Sequence, residues 1–152
     1  FYEFVYAADR MIAGEYVDTE FEGKPISQDY LEYIHKNKTA ALLKGSLRIG
    51  AILANAPEND LEKLSSYADK IGLAFQIRDD ILSEIGDEKV LGKPVGNDKE
   101  RKKCTYVTKY GLEKSKAMLH DIKKEAIEIA RTYNEQGKFL EELATFIENR
   151  DK

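Results

Sequence analysis

One stretch of the sequence carries the strongest structural information in the chain. Residues 67–87 read YADKIGLAFQIRDDILSEIGD. Apolar residues recur in it every three or four positions, the spacing of one face of an α-helix, and the same spacing begins further upstream. We therefore predict a single long helix over residues 59–85. Its inward-facing stripe is predicted to consist of Leu61, Leu64, Tyr67, Ala68, Ile71, Ala74, Phe75, Arg78 and Leu82.

Oxygen-bearing side chains lie at helical spacing near the end of this stretch. Asp79, Ser83 and Asp87 follow one another at four-residue steps, and Gln76 comes one turn before Asp79 and Asp80. Residues three or four apart share a helix face, so these oxygens line one side of the helix. Mg²⁺ prefers carboxylate oxygens together with phosphate oxygens and water. The pattern favours a site for Mg²⁺ and a diphosphate, while a solvated helix edge stays open for the carboxylate pair taken alone.

The rest of the chain also has the periodicity of helices, and no segment alternates as a strand would. The fold class predicted is therefore all-α, a helical bundle. Ser27 offers an N-terminal cap for a second helix, which reaches the polar stretch 35–39. The other predicted helices cover residues 1–16, 40–54, 105–110, 112–134 and 139–147, with loops over 17–26 and 86–104. The first helix is predicted to place Phe1, Phe4, Val5, Ala8, Met11 and Ile12 on its apolar face.

The composition is that of a globular protein rather than a disordered one. The 152 residues are 42% hydrophobic and 34% charged, with a net charge of −4. An acidic chain argues against a nucleic-acid partner, and its longest uncharged runs are far shorter than the roughly 20 residues of a membrane span. Cys104 is the only cysteine, which fits a reducing cytoplasm. His35 and His120 have no metal-binding cluster around them, and both are predicted to lie at the surface or to cap helices.

Two further segments carry residue types that bind phosphate. Residues 92–96 place Lys93 between two glycines, and Lys103 follows shortly afterwards. Glycine permits close approach of a phosphate to the backbone, and lysine supplies positive charge. Lys38 and Thr39 offer a charge and a hydroxyl at a second place. An ordinary solvated turn and a polar helix junction remain the alternatives for these two segments.

Three segments of the chain match one known family in order and spacing. Residues 34–39 (IHKNKT) resemble the IHxxKT segment of the trans-isoprenyl diphosphate synthases. Residues 67–87 resemble their YAxxIGLAFQxxDDILDxxGD helix, and residues 91–106 resemble their LGKPxGxDxxxxKxTY loop. The bacterial farnesyl and geranylgeranyl diphosphate synthases are the closest in pattern. The resemblance covers about the second half of a family member and implies one incomplete domain over residues 1–152, the C-terminal half of an isoprenoid-synthase-type bundle.

The resemblance also implies a cofactor and roles for individual residues. The implied Mg²⁺ ligands are Asp79, Asp80, Ser83 and Asp87. The residues implied in catalysis, through contact with the allylic diphosphate, are Lys38, Thr39, Gln76 and Lys93. Further contacts with diphosphate are implied for Lys103, Arg150 and Lys152, the last two as a basic tail that closes toward isopentenyl diphosphate.

The sequence departs from the family pattern in three places. Ser83 stands where the family has a third aspartate, which removes one charge from the metal site. Ala13-Gly14-Glu15 replaces the family's GGQ, so a substrate-facing glutamine has become a carboxylate. The first aspartate-rich motif and the N-terminal residues that bind isopentenyl diphosphate are absent.

The implied function is Mg²⁺-dependent transfer of an allylic prenyl group to isopentenyl diphosphate in the cytoplasm, with this chain inactive by itself. Half a bundle leaves apolar helix faces uncovered, so we expect a homodimer or a pairing with the missing N-terminal half. Two alternatives stay open. The chain is a non-catalytic or truncated partner subunit of a prenyltransferase, or it is a terpene-cyclase-like enzyme that uses Asp79, Ser83 and Asp87 as a metal triad.

Overall fold

The computed structural model describes residues 1–24, 27–85 and 104–151, and within these ranges the chain is helical and contains no strand. The helices are α1 (Tyr2–Glu20), α2 (Gln28–Asn37), α3 (Thr39–Leu53), α4 (Glu58–Ile85), α5 (Tyr106–Tyr110), α6 (Leu112–Arg131) and α7 (Lys138–Asn149), with a 3₁₀ turn at Asn134–Gly137. The all-α fold predicted from the periodicity is confirmed.

Helix α4 lies at the centre of the bundle because its apolar stripe is covered from several sides. Helices α3 and α6 make the most extensive contacts with it, and α2, α5 and α7 also pack on it. Ile71, Ile77 and Ile81 are almost completely buried, and such a side chain stabilises the fold by about 1.5–3 kcal/mol relative to an exposed one. The Tyr67 hydroxyl donates a hydrogen bond to the Leu140 carbonyl at 2.7 Å. These contacts fix the end of α4 that carries the paired carboxylates.

Two helix ends differ from the predicted ones by three residues or more. Helix α1 runs to Glu20, so the loop predicted from residue 17 was wrong for its first four residues. Nothing between 17 and 22 interrupts a helix, and Gly23, with φ of +76°, is the first residue that does. Helix α6 ends at Arg131 rather than at Asn134, which has a φ of +52°. The predicted cap is confirmed, since the Ser27 hydroxyl accepts a hydrogen bond from the Tyr30 N–H at 3.3 Å.

Helix α1 packs through small residues, and its large apolar residues face outward. Ala7 and Gly14 are its buried positions. Four of the six residues predicted to share its apolar face are exposed in the structure: Phe1, Phe4, Val5 and Ile12. Small residues allow α1 to lie close to α2 and α3, which turns the larger side chains away. In the described part of the chain, no helix is long and apolar enough to span a membrane.

Candidate functional site

Helices α1, α2 and α4 and the residues just before α5 surround a cavity of about 170 Å³. Its lining residues are Asp18, Leu31, Ile34, His35, Lys38, Gln76, Asp79, Asp80, Ser83, Cys104 and Thr105. Residues from all three of the matched segments, 34–39, 67–87 and 91–106, therefore meet at one place. A larger groove of about 710 Å³ lies between α1 and α3, and it shares none of these residues.

Lys38 reaches the cavity because the chain turns sharply at this residue. It ends α2, where its N–H donates to the Ile34 carbonyl at 2.9 Å, and its ψ of −110° redirects the chain into α3. Its ammonium group lies 2.7 Å from Asp18 Oδ2 and 2.9 Å from Glu15 Oε2. Burial alone would lower the pKa of Lys38, but the hydrogen bonds to Asp18 and Glu15 outweigh it and raise that pKa above its usual value. Lys38 is therefore cationic at neutral pH. We call these three residues the Lys38 cluster.

The carboxylates of the Lys38 cluster come from α1, and a close helix approach brings them there. A Cβ atom on Gly14 would lie 2.5 Å from the Asn37 carbonyl carbon and 2.7 Å from the Lys38 nitrogen. Only glycine fits at that distance. Glu15 is the residue that replaces the family's glutamine, and the structure gives its carboxylate a cationic partner. No sequence spacing indicates this pairing, because it depends on how α1 docks against the start of α3.

The adjacent carboxylates of α4 have different surroundings. Asp80 is 5% exposed, and its Oδ2 accepts a hydrogen bond from the Tyr106 N–H at 2.8 Å. It therefore joins α4 to the first residue of α5. Gln76 is at the limit of hydrogen bonding to the other oxygen of Asp80, at 3.4 Å. The side chain of Asp79 is 38% exposed, and its Oδ1 lies 2.5 Å from Nη2 of Arg150.

Arg150 follows α7 and lies across the same end of α4. Its guanidinium carbon is 3.8 Å from the centre of the Phe75 ring, and its Nη2 also donates to the Phe75 carbonyl at 3.2 Å. The Arg150 carbonyl accepts hydrogen bonds from Nε and Nη2 of Arg78 at 2.9 and 2.6 Å. We call Phe75, Arg78, Asp79 and Arg150 the Arg150 cluster. The resemblance implied a substrate contact for Arg150, and the structure places it on an implied metal ligand.

Other residues singled out in the sequence have different placements. Thr39 begins α3 and does not line the cavity, although its neighbour Lys38 does. Four residues lie outside the described residues: Asp87, Lys93, Lys103 and Lys152. Of the site residues predicted from the sequence, the cavity thus brings together one cation, two carboxylates, one amide and the buried hydroxyl of Ser83.

His35 was predicted to lie at the surface or to cap a helix, and that prediction was wrong. It is 5% exposed and stacks on Tyr106, with ring centres 5.0 Å apart. Burial lowers its pKa to about 4, and the opposing effect of Asp18 is smaller. Its Nδ1 has no hydrogen-bond partner among the described residues. His120 is exposed, as predicted, and its Nδ1 lies 2.9 Å from Glu148.

The fold agrees with what the sequence shares with known proteins. The model of the polyprenyl synthetase family matches residues 2–144. The chain belongs to the polyprenyl synthetase family. It is 42% identical over 141 residues to the farnesyl diphosphate synthase of Bacillus subtilis (strain 168), a match that covers 93% of this chain and 48% of that protein. The predicted family is thereby confirmed, and the chain spans about half the length of the curated relatives it matches.

Solved structures of polyprenyl synthetases and related enzymes have the same helical arrangement. The geranylgeranyl pyrophosphate synthetase from Pyrococcus horikoshii Ot3 superposes with a TM-score of 0.85 at 29% identity, over 97% of this chain and 57% of that one. The geranyltransferase from Helicobacter pylori complexed with magnesium and isoprenyl diphosphate superposes with a TM-score of 0.75 at 29% identity, over 91% of this chain and 46% of that one.

Proposed function

We propose that this chain provides the diphosphate-binding half of a trans-prenyltransferase site, in which an allylic prenyl group is transferred to isopentenyl diphosphate. One observation carries the proposal: Lys38, between α2 and α3, borders the same cavity as Asp79 and Asp80 on α4. A cation and a carboxylate pair around one cavity suit a diphosphate and its metal ion. Membership of the polyprenyl synthetase family supports this reaction class.

The donor set at this end of α4 fits Mg²⁺ shared with a diphosphate. Asp79, Asp80 and Ser83 would hold the ion, and their oxygens are the kind of donor that Mg²⁺ prefers. Among residues 1–24, 27–85 and 104–151, no group of three or more His, Cys, Asp or Glu side chains is placed to hold a metal ion by itself. Mg²⁺ commonly uses one or two carboxylates and completes its shell with phosphate oxygens and water. When bound, the ion stabilises the negative charge of the departing diphosphate.

The reaction requires that the bond between the allylic carbon and the diphosphate oxygen breaks, with the electron pair leaving on the diphosphate. The alkene of isopentenyl diphosphate then attacks the allylic carbon, and a proton is lost. The ammonium of Lys38 has three N–H donors, of which Asp18 and Glu15 engage two. The third can donate to a diphosphate oxygen. Gln76 offers an amide N–H from the opposite wall.

Full turnover is proposed to need residues that this chain does not contain. The described residues supply one carboxylate pair. The resemblance assigns the other pair, the first aspartate-rich motif, to the N-terminal half of family members, which residues 1–152 do not cover. The exposed apolar residues of α1 support assembly with a second copy or with that missing half. The terpene-cyclase alternative depends on Asp87, which lies outside the described residues.

Thermal unfolding with Mg²⁺ and inorganic pyrophosphate tests the proposed site. A ligand present at 100 times its Kd stabilises the folded state by about 2.7 kcal/mol, which raises the unfolding midpoint by several degrees. We expect this rise in the wild-type chain, and we expect EDTA to abolish it. Asp79→Asn should reduce it strongly, because the change removes a proposed Mg²⁺ ligand and leaves the hydrogen bond from the Tyr106 N–H to Asp80 in place.

Asp121→Asn is the matched control, since Asp121 is an exposed carboxylate on α6, away from the cavity. Its stabilisation by Mg²⁺ and pyrophosphate should equal that of the wild-type chain. Equal stabilisation of all three chains, or stabilisation by pyrophosphate without Mg²⁺, would contradict a metal-dependent diphosphate site. Prenyl transfer is then tested by adding a separate chain that carries the first aspartate-rich motif to this one, with geranyl and isopentenyl diphosphates as substrates.

A further inference from the structure

The Arg150 cluster puts a cation where the proposed function needs a metal ion. Nη2 of Arg150 and Oδ1 of Asp79 are 2.5 Å apart, a close charge-assisted contact. We propose that the Arg150 guanidinium occupies Asp79 in the metal-free protein, and that a divalent cation entering with a diphosphate displaces it. Arg78 acts as the positioning residue that holds Arg150 there. This inference rests on the proposed Mg²⁺ and diphosphate site.

Several contacts hold the guanidinium in place independently of Asp79. The Arg150 side chain is only 9% exposed, and its planar group stacks on the Phe75 ring. A guanidinium is weakly hydrated and stacks well on aromatic rings, so it tolerates this position better than an ammonium group. Nη2 also donates to the Phe75 carbonyl. Arg150 is therefore positioned by the fold, rather than attracted to Asp79 as a loose surface charge.

Arg78 fixes the backbone from which Arg150 extends. Two N–H groups of its guanidinium converge on the Arg150 carbonyl, which follows the last turn of α7. Arg78 immediately precedes Asp79 in α4, so one helix carries both the carboxylate and the group that anchors its partner. Loss of Arg78 should loosen Arg150 while leaving every atom of Asp79 in place.

Metal entry and the Arg150 contact compete for the same carboxylate. Mg²⁺ binds carboxylate oxygens at about 2.0–2.1 Å and demands near-octahedral geometry, which leaves little room for a guanidinium on the same oxygen. Asp79 keeps its second oxygen, so the competition weakens Mg²⁺ binding without preventing it. In the Lys38 cluster, by contrast, the partners of the cation are Asp18 and Glu15, which are not proposed ligands. A metal ion therefore disturbs one cluster and leaves the other intact.

The competition links metal loading to release of the chain segment that follows α7. Coupling between two binding events is reciprocal, so whatever stabilises Arg150 on Asp79 weakens the metal, and the metal weakens that contact equally. Once displaced, the Arg150 cation becomes available to a second anionic group at the same end of the bundle.

Calorimetric titration of Mg²⁺ in the presence of saturating pyrophosphate measures this competition. We expect Arg150→Gln to tighten Mg²⁺ binding by about fivefold, and Arg78→Gln by a smaller factor, in line with typical coupling between sites. Arg131→Gln is the control, because Arg131 is an exposed arginine on α6 paired with Glu141. Its Mg²⁺ affinity should stay within about twofold of wild type, as expected for a screened surface charge.

Arg150→Lys separates contact from charge. A lysine keeps the positive charge but has neither the planar group that stacks on Phe75 nor the forked geometry. If Arg150 acts by direct contact, the lysine variant also binds Mg²⁺ more tightly than wild type. Wild-type affinity in Arg150→Lys, together with tighter binding in Arg150→Gln, would reduce the effect to general charge repulsion and overturn the proposal.

A second readout follows the guanidinium itself. The chain contains no tryptophan, so Phe75→Trp introduces a single tryptophan beneath Arg150, whose emission can be followed separately from that of the tyrosines. Addition of Mg²⁺ and pyrophosphate should change its emission, and the change should disappear in the Phe75→Trp/Arg150→Gln double variant. If Mg²⁺ binding is lost in Asp79→Asn but is equal in the wild-type chain and Arg150→Gln, this inference is wrong and the proposed function is still supported. No binding in any of these chains would overturn both.

Discussion

Two cations lie near the same cavity in different surroundings: Lys38 lines the cavity, whereas Arg150 contacts Asp79, which lines it. Lys38 is held by Asp18 and Glu15, two carboxylates that come from α1 and belong to none of the three motif segments. Arg150 is held by Asp79, a carboxylate at the centre of the aspartate motif. The first cation can meet a diphosphate without leaving its partners. The second competes with the proposed metal ion for its partner carboxylate.

The difference gives the two clusters opposite effects in the proposed site. The Lys38 cluster keeps a cation in place for a diphosphate, and the Arg150 cluster opposes binding of the metal ion. The Lys38 cluster keeps a positive charge in a half-buried position, where burial alone would favour the neutral amine. The Arg150 cluster neutralises a carboxylate that would otherwise face the other acidic group of the motif. Both clusters pair opposite charges, but only the Arg150 cluster is proposed to be disrupted when a metal ion binds.

The largest predicted effect concerns His35, which lies beneath the Lys38 cluster. Burial depresses its pKa from 6.5 to about 4, so the unfolded chain binds more protons between these pH values. Stability from the neutral ring is fully present above pH 6.5 and is lost as the pH falls toward 4, by about 3 kcal/mol in total. Urea unfolding at pH 7 and at pH 4.5 should show this loss, and His35→Gln should flatten it. His120→Gln, at an exposed histidine, should keep the wild-type slope.

A second prediction tests the close approach that brings α1 to Lys38. Gly14→Ala would place a methyl group 2.5 Å from the backbone of Asn37, so α1 has to move. We expect a loss of about 2 kcal/mol, the usual size of an overpacking effect. Gly50→Ala is the matched control, because Gly50 lies in α3 with no atom within 4 Å of the added carbon. It should stabilise the chain by up to about 1 kcal/mol through helix propensity. Equal effects of both changes would remove the structural reason given for Gly14.

The sequence could predict the cavity wall formed by α4 better than the wall formed by α1. The spacing of Asp79, Asp80 and Ser83 along one helix is a local pattern, and the structure places all three at the cavity. Local patterns do not reveal which α1 side chain meets Lys38, because that depends on the docking of small residues such as Gly14. The burial of His35 was missed for the same reason, since its stacking partner Tyr106 is distant in sequence.

A third prediction concerns Asp79 and Asp80, which are neighbours in the motif but have different partners. Asp80 accepts a hydrogen bond from the Tyr106 N–H, and Asp79 pairs with Arg150. Asp80→Asn weakens the charge-assisted hydrogen bond to the buried Tyr106 N–H and should cost about 1–2 kcal/mol of stability. Asp79→Asn, at a more exposed side chain, should cost less than about 1 kcal/mol. Denaturant unfolding in EDTA gives both values without any metal effect. A larger cost for Asp79→Asn would mean that the Arg150 cluster, rather than Asp80, holds this end of the bundle together.

The smallest predicted effect separates the two partners of Lys38. Asp18→Asn should cost about 1 kcal/mol, whereas Glu15→Gln should cost a few tenths, because a half-exposed carboxylate is screened by solvent. The side chains are 21% and 55% exposed, and the corresponding distances to the ammonium are 2.7 and 2.9 Å.

The pH dependence of stability provides a second measurement that compares Asp18 with Glu15. The pKa of Lys38 is raised in the folded chain, so its contribution to stability is present below pH 10.5 and is lost as the pH rises above that value. Asp18→Asn should reduce that alkaline loss more than Glu15→Gln does. If the order were reversed, the carboxylate that replaces the family's glutamine would be the main partner of Lys38. The substitution at position 15 would then have changed the charge of the site as well as a substrate contact.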